Sequence, residues 1–470
     1  MPIDSQKPGP LHALALDLGS TRFKLGQADA AGCLIGVDGV PAPPLTGDGL
    51  IRESDPVAVL DAARGLLDGF DDLPLGLVCQ RSSFVIWDRH SGRPLTPMVA
   101  WQDRRAVDWC LAHPQGEDPL IRHAGLLLSP HYAGPKLAAM QAGDPKLAAR
   151  LRDGSAVFGN LDAWLVWHWT CGAVHRTDYT MAARTGLADI ANGDWSDELL
   201  DLFGVPRQAL PEIVATDAPP LALKNGLRLH ASIADQASGA LAILDPGDDC
   251  ALVNLGTGGF VLRPVETTSV RRRGYLTAPI FGSRRRRCRY VLEGTINGAG
   301  PAVDRFGAGP TVWPAVDACP DAFVMPDQNG IGAPHWRPEL SQPWSPAAEA
   351  VQVAADRRRL VIEGLLFRIK EILLGLSGSG GYGPLPQRVL LSGGLVREPA
   401  VASGLASLLG QAVELFDEPE ATLLGAARLA AGRPVHARLL TTRIEPSNTG
   451  AYLAEKFPRW QAWVSGVLGN

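Results

Sequence analysis

Two short stretches carry residue types suited to holding phosphate. Residues 13–26 read ALALDLGSTRFKLG. An apolar run ends on Asp17, a tight turn of Gly19, Ser20 and Thr21 follows, and a second run starts near Phe23. That pattern predicts a β-hairpin. Glycine lets the backbone approach an anion, and the two hydroxyls and their N–H groups can donate to it. A carboxylate at Asp17 could hold a metal ion that neutralises phosphate charge. Turns are rich in these residue types for conformational reasons as well, so one such turn decides little. The form recurs about half a chain later, where 251–261 read ALVNLGTGGFV, with Asn254, Gly256 and Thr257 in the matching places. Two related domains, each opening on a hairpin, would produce this spacing.

Other candidate residues stand where strands are predicted to end, which is where α/β proteins build sites. Gln80-Arg81-Ser82 follows a short apolar strand over 75–79. Trp101-Gln102-Asp103-Arg104-Arg105 lies where a strand meets a helix. Asp235 and Gln236 follow an alternating strand over 227–233 and precede a helix over 237–244. An aspartate at such a junction serves either as a helix N-cap or as a base. His131 and Tyr132 lie in LLLSPHYAGPKL (126–137), a loop entering a helix, where both are expected to be exposed. Ser392-Gly393-Gly394 ends a buried strand over 388–391 and suits either a nucleotide's sugar and base or a plain turn. Residues 378–383 fit GxGxxG. They follow a helix and precede a strand, the wrong order for dinucleotide binding, so they read as a flexible turn. Arg284–Arg287 with Arg289 read as a solvated loop rather than a nucleic-acid surface, having no aromatic platform beside them.

The totals set bounds. The 470 residues suit two or three domains, and the turn cluster 245–249 marks a boundary between 1–246 and 247–470. The chain is 46% apolar with a net charge of −5, which gives no drive toward nucleic acid or anionic membrane. The first dozen residues carry no basic-then-apolar leader, and no apolar run reaches the length of a membrane span. Seven dispersed cysteines without CxxC read as free thiols of a reducing cytoplasm. Helices are expected over 55–67, 159–169, from Asp194-Trp195 onward, over 354–376 and over 420–431, with a mostly helical tail over 432–470.

Taken together, these motifs resemble the FGGY carbohydrate kinases, and within them glycerol kinases. The resemblance runs through DLGST (17–21), CQRSS (79–83), WQDRR (101–105), PHYAGPKL (130–137), GNLDAWLVW (159–167), TDYTMAARTG (177–186), ADQ (234–236), NLGTGGF (254–260), LEGTINGAG (292–300), GIGAPHW (330–336) and SGGLVREP (392–399). It implies two ribonuclease-H-like α/β domains of the actin and hexokinase type, with the active site in the cleft between them. It implies ATP and Mg²⁺ as cofactors, a small sugar or polyol as acceptor, and often a homodimer. By the same resemblance, Asp17 would lie near Mg²⁺, and Gly19, Ser20, Thr21 and Lys24 near the phosphates. Gly256, Thr257, Gly300, Asp304, Gly394 and Glu398 would contribute from the second domain's nucleotide side. Arg81, Ser82, Trp101, His131, Tyr132 and Gln236 would line the acceptor pocket, and Asp235 would be the general base.

The chain also leaves the glycerol kinase pattern. An acid is expected directly after the acceptor-site arginine, where Ser82 stands. The acceptor-site tyrosine aligns with His131, with Tyr132 one place on. Asp304 and Glu398 replace a glutamine and an asparagine. PELSQPWSP (338–346) stands where a Gly-rich stretch is expected. Glycerol is therefore expected to be a poor acceptor, since a site missing partners for a substrate's hydroxyls binds it weakly. Two other readings stay open: a catalytically weak sugar-binding protein on the same fold, and an actin-like ATPase with a protein partner. The latter has no use for the WQDRR and ADQ elements.

Overall fold

The structure is a computed structural model. It describes every residue except 1–8, 246, 271, 284–287, 308, 310, 314–320, 378–383, 434–439, 449 and 470. The arginine run 284–287 and the glycine-rich turn 378–383 therefore lie outside the described residues.

Each predicted hairpin forms and opens a mixed sheet. Ala13–Leu18 pairs antiparallel with Arg22–Ala28 and, on its other side, parallel with Pro74–Cys79. Cys250–Leu255 pairs antiparallel with Gly259–Val265 and parallel with Arg388–Ser392. The first sheet has six strands and the second has seven. The same local order in both is the structural form of the repeated motif. The two-lobed α/β architecture expected from the sequence is what forms.

Local signals set the helices. Asp55 caps the helix Pro56–Leu67 by accepting from Val57 N, and proline occupies the first turn. Val59, Leu60, Ala63 and Leu67 form its buried stripe. The long helix Ala354–Leu376 has the predicted bounds and is buried along most of its length. Elsewhere the expectations need correction. Asp194–Trp195 is a two-residue strand, and the helix begins at Asp197 with Ser196 as its cap. Residues 159 and 160 end a strand, Ala156–Asn160, before the helix Leu161–Trp169. The tail contains a strand, Thr441–Ile444, paired on the second sheet, before the helix Tyr452–Leu468. Among the described residues no helix is long and apolar enough to cross a membrane.

One late helix ties the lobes together. Ala421–Ala430 follows the second-sheet strand Val413–Phe416 in sequence, yet Leu423, Leu424, Ala426 and Ala427 are buried in the same core as the first sheet. Small residues allow the crossing. A Cβ on Gly76 would lie 2.5 Å from Ala426 O, and one on Gly425 would lie 2.3 Å from Ser238 O, in the helix Asp235–Ile243. Both positions are backbone-to-backbone contacts with no flexible side chain to yield. Gly425→Ala is therefore expected to push this helix away from Asp235–Ile243 and to cost about 1–3 kcal/mol. A lowered denaturation midpoint measures this; an unchanged midpoint would show that the crossing is loose.

Candidate functional site

The first hairpin brings its charged residues to the cleft. Asp17 lies opposite Lys24 in the register of the two strands. Lys24 Nζ sits 2.7 Å from Glu420 Oε1 and 2.8 Å from Oε2. Glu420 stands at the N-terminus of the helix that crosses from the second lobe. Asp17 Oδ1 is buried and has no hydrogen-bond partner among the described residues. Burial, with the nearby charge of Asp235 and Glu420 and against the pull of Lys24, raises the Asp17 carboxyl to about 7. The turn itself is tight, since a Cβ on Gly19 would lie 2.9 Å from Arg22 O. Ser20 Oγ donates to Gln80 Oε1 at 3.0 Å and accepts from Trp101 Nε1 at 2.9 Å. Thr21 is exposed.

The second hairpin presents Gly256 and Thr257 to solvent. Gly300 backs this turn: its N–H donates to Thr257 O at 3.3 Å, and a Cβ there would lie 2.5 Å from Gly256 O. Asp304 is exposed at the end of the same short helix, Ala299–Asp304. Gly394 is exposed with open space around it. The close approach belongs to Gly393, whose φ is +96° and whose added Cβ would lie 2.3 Å from Leu255 O. Glu398 accepts from Arg358 Nη2 at 2.9 Å, so its carboxylate is already held by the helix Ala354–Leu376.

On the acceptor side, Asp235 opens the helix Asp235–Ile243. Ala234 is the cap residue and the Asp235 side chain makes no capping bond. The N-cap role is thus absent, and Asp235 Oδ1 is a buried atom without a hydrogen bond, 3.5 Å from Arg81 Nε. The backbone just before it is anchored. Ala234 N donates to Thr180 Oγ1 at 2.9 Å, and Thr180 in turn donates to Asp178, which caps the helix Tyr179–Ala182. Gln236 Nε2 is also buried without a partner.

Arg81 stacks over Phe260 of the second hairpin, 5.9 Å from the ring centre. Ser82 adopts φ +61° and donates from Oγ to Arg184 O at 3.0 Å. Trp101, 38% exposed, is held by its backbone. Its N–H donates to Ser83 Oγ at 3.0 Å, and its carbonyl accepts from His131 Nδ1 at 3.1 Å. The buried Lys136 ammonium donates to the adjoining Ala100 O at 2.9 Å, and burial lowers it to about 7. His131 is half-buried, and burial holds its imidazole below the usual histidine range. Tyr132 is not exposed as expected; it is buried in the field of Arg184, Glu293 and Arg81. The loop folds inward because Tyr132 packs into the core that Leu126, Ala133 and Leu137 also enter.

Residues 12–228 match the N-terminal domain of the FGGY family of carbohydrate kinases, and residues 251–432 match its C-terminal domain. The chain belongs to that family. It is 31% identical to a glycerol kinase of Methylobacterium nodulans over 425 residues, covering 84% of each chain. It is 33% identical to one from Xanthobacter autotrophicus over 381 residues, covering 77% of this chain and 76% of the relative. Among solved structures, Plasmodium falciparum glycerol kinase with ADP superposes with a TM-score of 0.83 at 20% identity, covering 98% of this chain and 99% of that one. A xylulose kinase from Lactobacillus acidophilus superposes with a TM-score of 0.82 at 17% identity, covering 97% and 98%. This FGGY protein is a carbohydrate kinase that acts on an alcohol group.

Sequence reasoning passed over Phe260, Glu420, Arg184 and Glu293. Three of the four stand inside motifs already singled out. Their spatial partners lie 100 or more positions away, which no local pattern reveals. Among the described residues no three acidic, histidine or cysteine side chains are grouped to bind a metal by themselves. A single orphaned carboxylate at Asp17 suits magnesium, which is commonly bound by one or two carboxylates together with substrate phosphates.

The raised Asp17 carboxyl has a consequence for stability. Between its unfolded value of 3.8 and about 7, the folded state holds a proton that the unfolded state releases. This group's contribution therefore falls as pH rises through that window. Asp17→Asn is expected to raise the melting temperature of the unliganded protein at pH 8 while leaving it little changed at pH 4. An equal shift at both pH values would exclude an ionisation effect.

Proposed function

We propose that this carbohydrate kinase transfers the γ-phosphoryl group of ATP to a hydroxyl of a sugar or polyol, with Asp235 as general base. The observation that carries the reading is a pair of buried carboxylate oxygens without a hydrogen bond, on Asp17 and Asp235, facing the cleft from the first lobe. Unpaired buried acceptors are costly, and their retention at two strand ends of one sheet is what a site awaiting substrates requires. The halves 1–246 and 247–470 then act as the two jaws.

In this scheme Asp17 is the residue that would hold magnesium, whose charge offsets that of the phosphates when bound. Ser20, Thr21 and Lys24 from the first hairpin, and Gly256 and Thr257 from the second, receive the phosphate oxygens. Gly300 keeps the second turn in place. Gly394, Asp304 and Glu398 lie farther out, on the side of the sugar and base. The acceptor hydroxyl lies against Asp235, which takes its proton as the phosphorus–oxygen bond forms. The proton is released late in a loose phosphoryl transfer, so a positioned carboxylate serves as the base. Arg81, Gln236 and Trp101 orient the acceptor, with Ser82, His131 and Tyr132 behind them.

The acceptor is a polyol larger than glycerol or a pentulose. Ser82 supplies no carboxylate and spends its hydroxyl on Arg184 O, and His131 Nδ1 is spent on Trp101 O. The groups that match glycerol's hydroxyls in its kinases are thus replaced or already engaged.

ADP release measured with Mg²⁺-ATP and a panel of glycerol, xylitol, ribitol, D-ribulose and D-xylulose tests this. Release should depend on the acceptor, and Asp235→Ala should reduce it by about 10²–10⁴-fold. Release without any acceptor would instead identify an ATPase, and none with any acceptor a binding protein. Glycerol should give a lower kcat/KM than the best five-carbon compound; parity would overturn the acceptor assignment alone.

A further inference from the structure

Glu293 has no place in the scheme above, yet it is buried in the cleft and paired with two arginines. It lies on the strand Arg289–Ile296 of the second sheet, and its side chain is 1% exposed. Around it the second lobe supplies an apolar wall that includes Leu262, Ala278, Ile280 and Val291. A carboxylate there costs several kcal/mol unless it is paired. Both of its partners come from the first lobe. Oε1 accepts from Arg184 Nη2 at 2.8 Å, and Oε2 lies 3.5 Å from Arg81 Nη1.

Arg81 therefore stands between two carboxylates. Its Nε is 3.5 Å from Asp235 Oδ1 and its Nη1 is 3.5 Å from Glu293 Oε2. The guanidinium plane rests on Phe260, again from the second lobe. Arg184 is fixed by its own ion pair and, through its carbonyl, by Ser82. The charges balance: two guanidiniums, both from the first lobe, and two carboxylates, one from each lobe.

Resting on the kinase reading, we infer that Glu293 is a positioning residue that reaches across the cleft and shares Arg81 with the general base, keeping the guanidinium from closing fully onto Asp235, so that the acceptor pocket is set only when the lobes meet. Without it, two buried guanidiniums face each other with Asp235 as their nearest carboxylate. Arg81 then closes onto Asp235 and occupies the oxygen that should accept the substrate's proton. Arg81 thus has a buried acid from the opposite lobe, although position 82 supplies none.

The effect should fall on the acceptor and not on the nucleotide. Glu293→Gln is expected to raise the acceptor KM, measured with the best compound of the polyol and ketose panel, by about ten- to a hundredfold, with the ATP KM within about twofold. Glu293→Asp keeps the charge and shortens the reach by one methylene. It should fold like the parent and show the same split, which keeps the test open if Glu293→Gln does not fold. A lowered melting temperature with both KM values unchanged would overturn the inference, as would equal rises in both. A second measurement needs no turnover. Glu293→Gln and Arg184→Gln should each lower the melting temperature, and the double variant should fall no further than the worse single one. Additive losses would show that the two residues do not act as a pair. If the parent itself releases no ADP with any acceptor, the kinase reading fails, while this thermal cycle still decides whether the two lobes are joined here.

Discussion

A site for phosphoryl transfer has to gather negative charge into a place that excludes water, and the cleft of this protein is built around that difficulty. Asp17, Asp235, Glu420 and Glu293 meet there, against Lys24, Arg81 and Arg184. Burial makes every one of these interactions stronger than it would be in water, the repulsions included. The result is visible in Asp17, whose proton is held to about 7 first by burial and then by the nearby charge of Asp235. Asp17 and Glu420 outnumber Lys24 at the first hairpin, whereas Arg81 and Arg184 balance Asp235 and Glu293. Under the proposed function, the first group suits a divalent cation and the second an uncharged acceptor.

That charge arrangement is possible only because residues distant in sequence are fixed rigidly. Glu420 reaches Lys24 because the helix Ala421–Ala430 packs into the first sheet's core, backbone against backbone at Gly76 and Gly425. Asp235 is aimed by Asp178 through Thr180 and the Ala234 N–H. Trp101 is pinned at both ends of its peptide, and its indole N–H reaches Ser20 in the phosphate hairpin. The last bond links the acceptor wall directly to the phosphate turn, so a displacement of one is felt by the other.

Much of this was legible in the sequence because the chemistry recurs locally. Both hairpins, the strand ends at Gln80 and Asp235, and the long helix over 354–376 are set by periodicity and turn chemistry acting over a few residues. Failures occurred where a tertiary contact overrides the local pattern. Tyr132 sits in a Pro/Gly-rich loop that looks exposed, but its ring is drawn into the core beside Leu126 and Leu137. Asp194-Trp195 has the look of a helix start, but pairing with Ala188–Asp189 makes it a strand and leaves capping to Ser196. The glycine that approaches the second hairpin is Gly393, and a strand-to-turn reading cannot say which of two adjacent glycines takes the positive φ.

The acceptor wall shows the deeper reason why specificity is hard to read from a chain. Ser82 looks like a loss, since a carboxylate next to Arg81 has gone. In space the arginine still has a buried acid, Glu293, more than 200 residues away and on the other lobe. An acid across the cleft asks something different of the pocket than one adjacent in sequence. An acid adjacent to Arg81 in sequence is present whether the lobes are open or closed, so it can bind an acceptor in either state. An acid on the opposing lobe completes the pocket only on closure, and it occupies Arg81 instead of a substrate hydroxyl. Under the proposed function, selectivity then depends on how well the acceptor lets the lobes meet. A larger acceptor, touching both walls, would contribute to closure directly; a three-carbon one would touch fewer groups and contribute less. On that reading, Ser82 and Glu293 favour the same outcome by separate physical routes, one by offering no carboxylate and the other by making the remaining partners conditional.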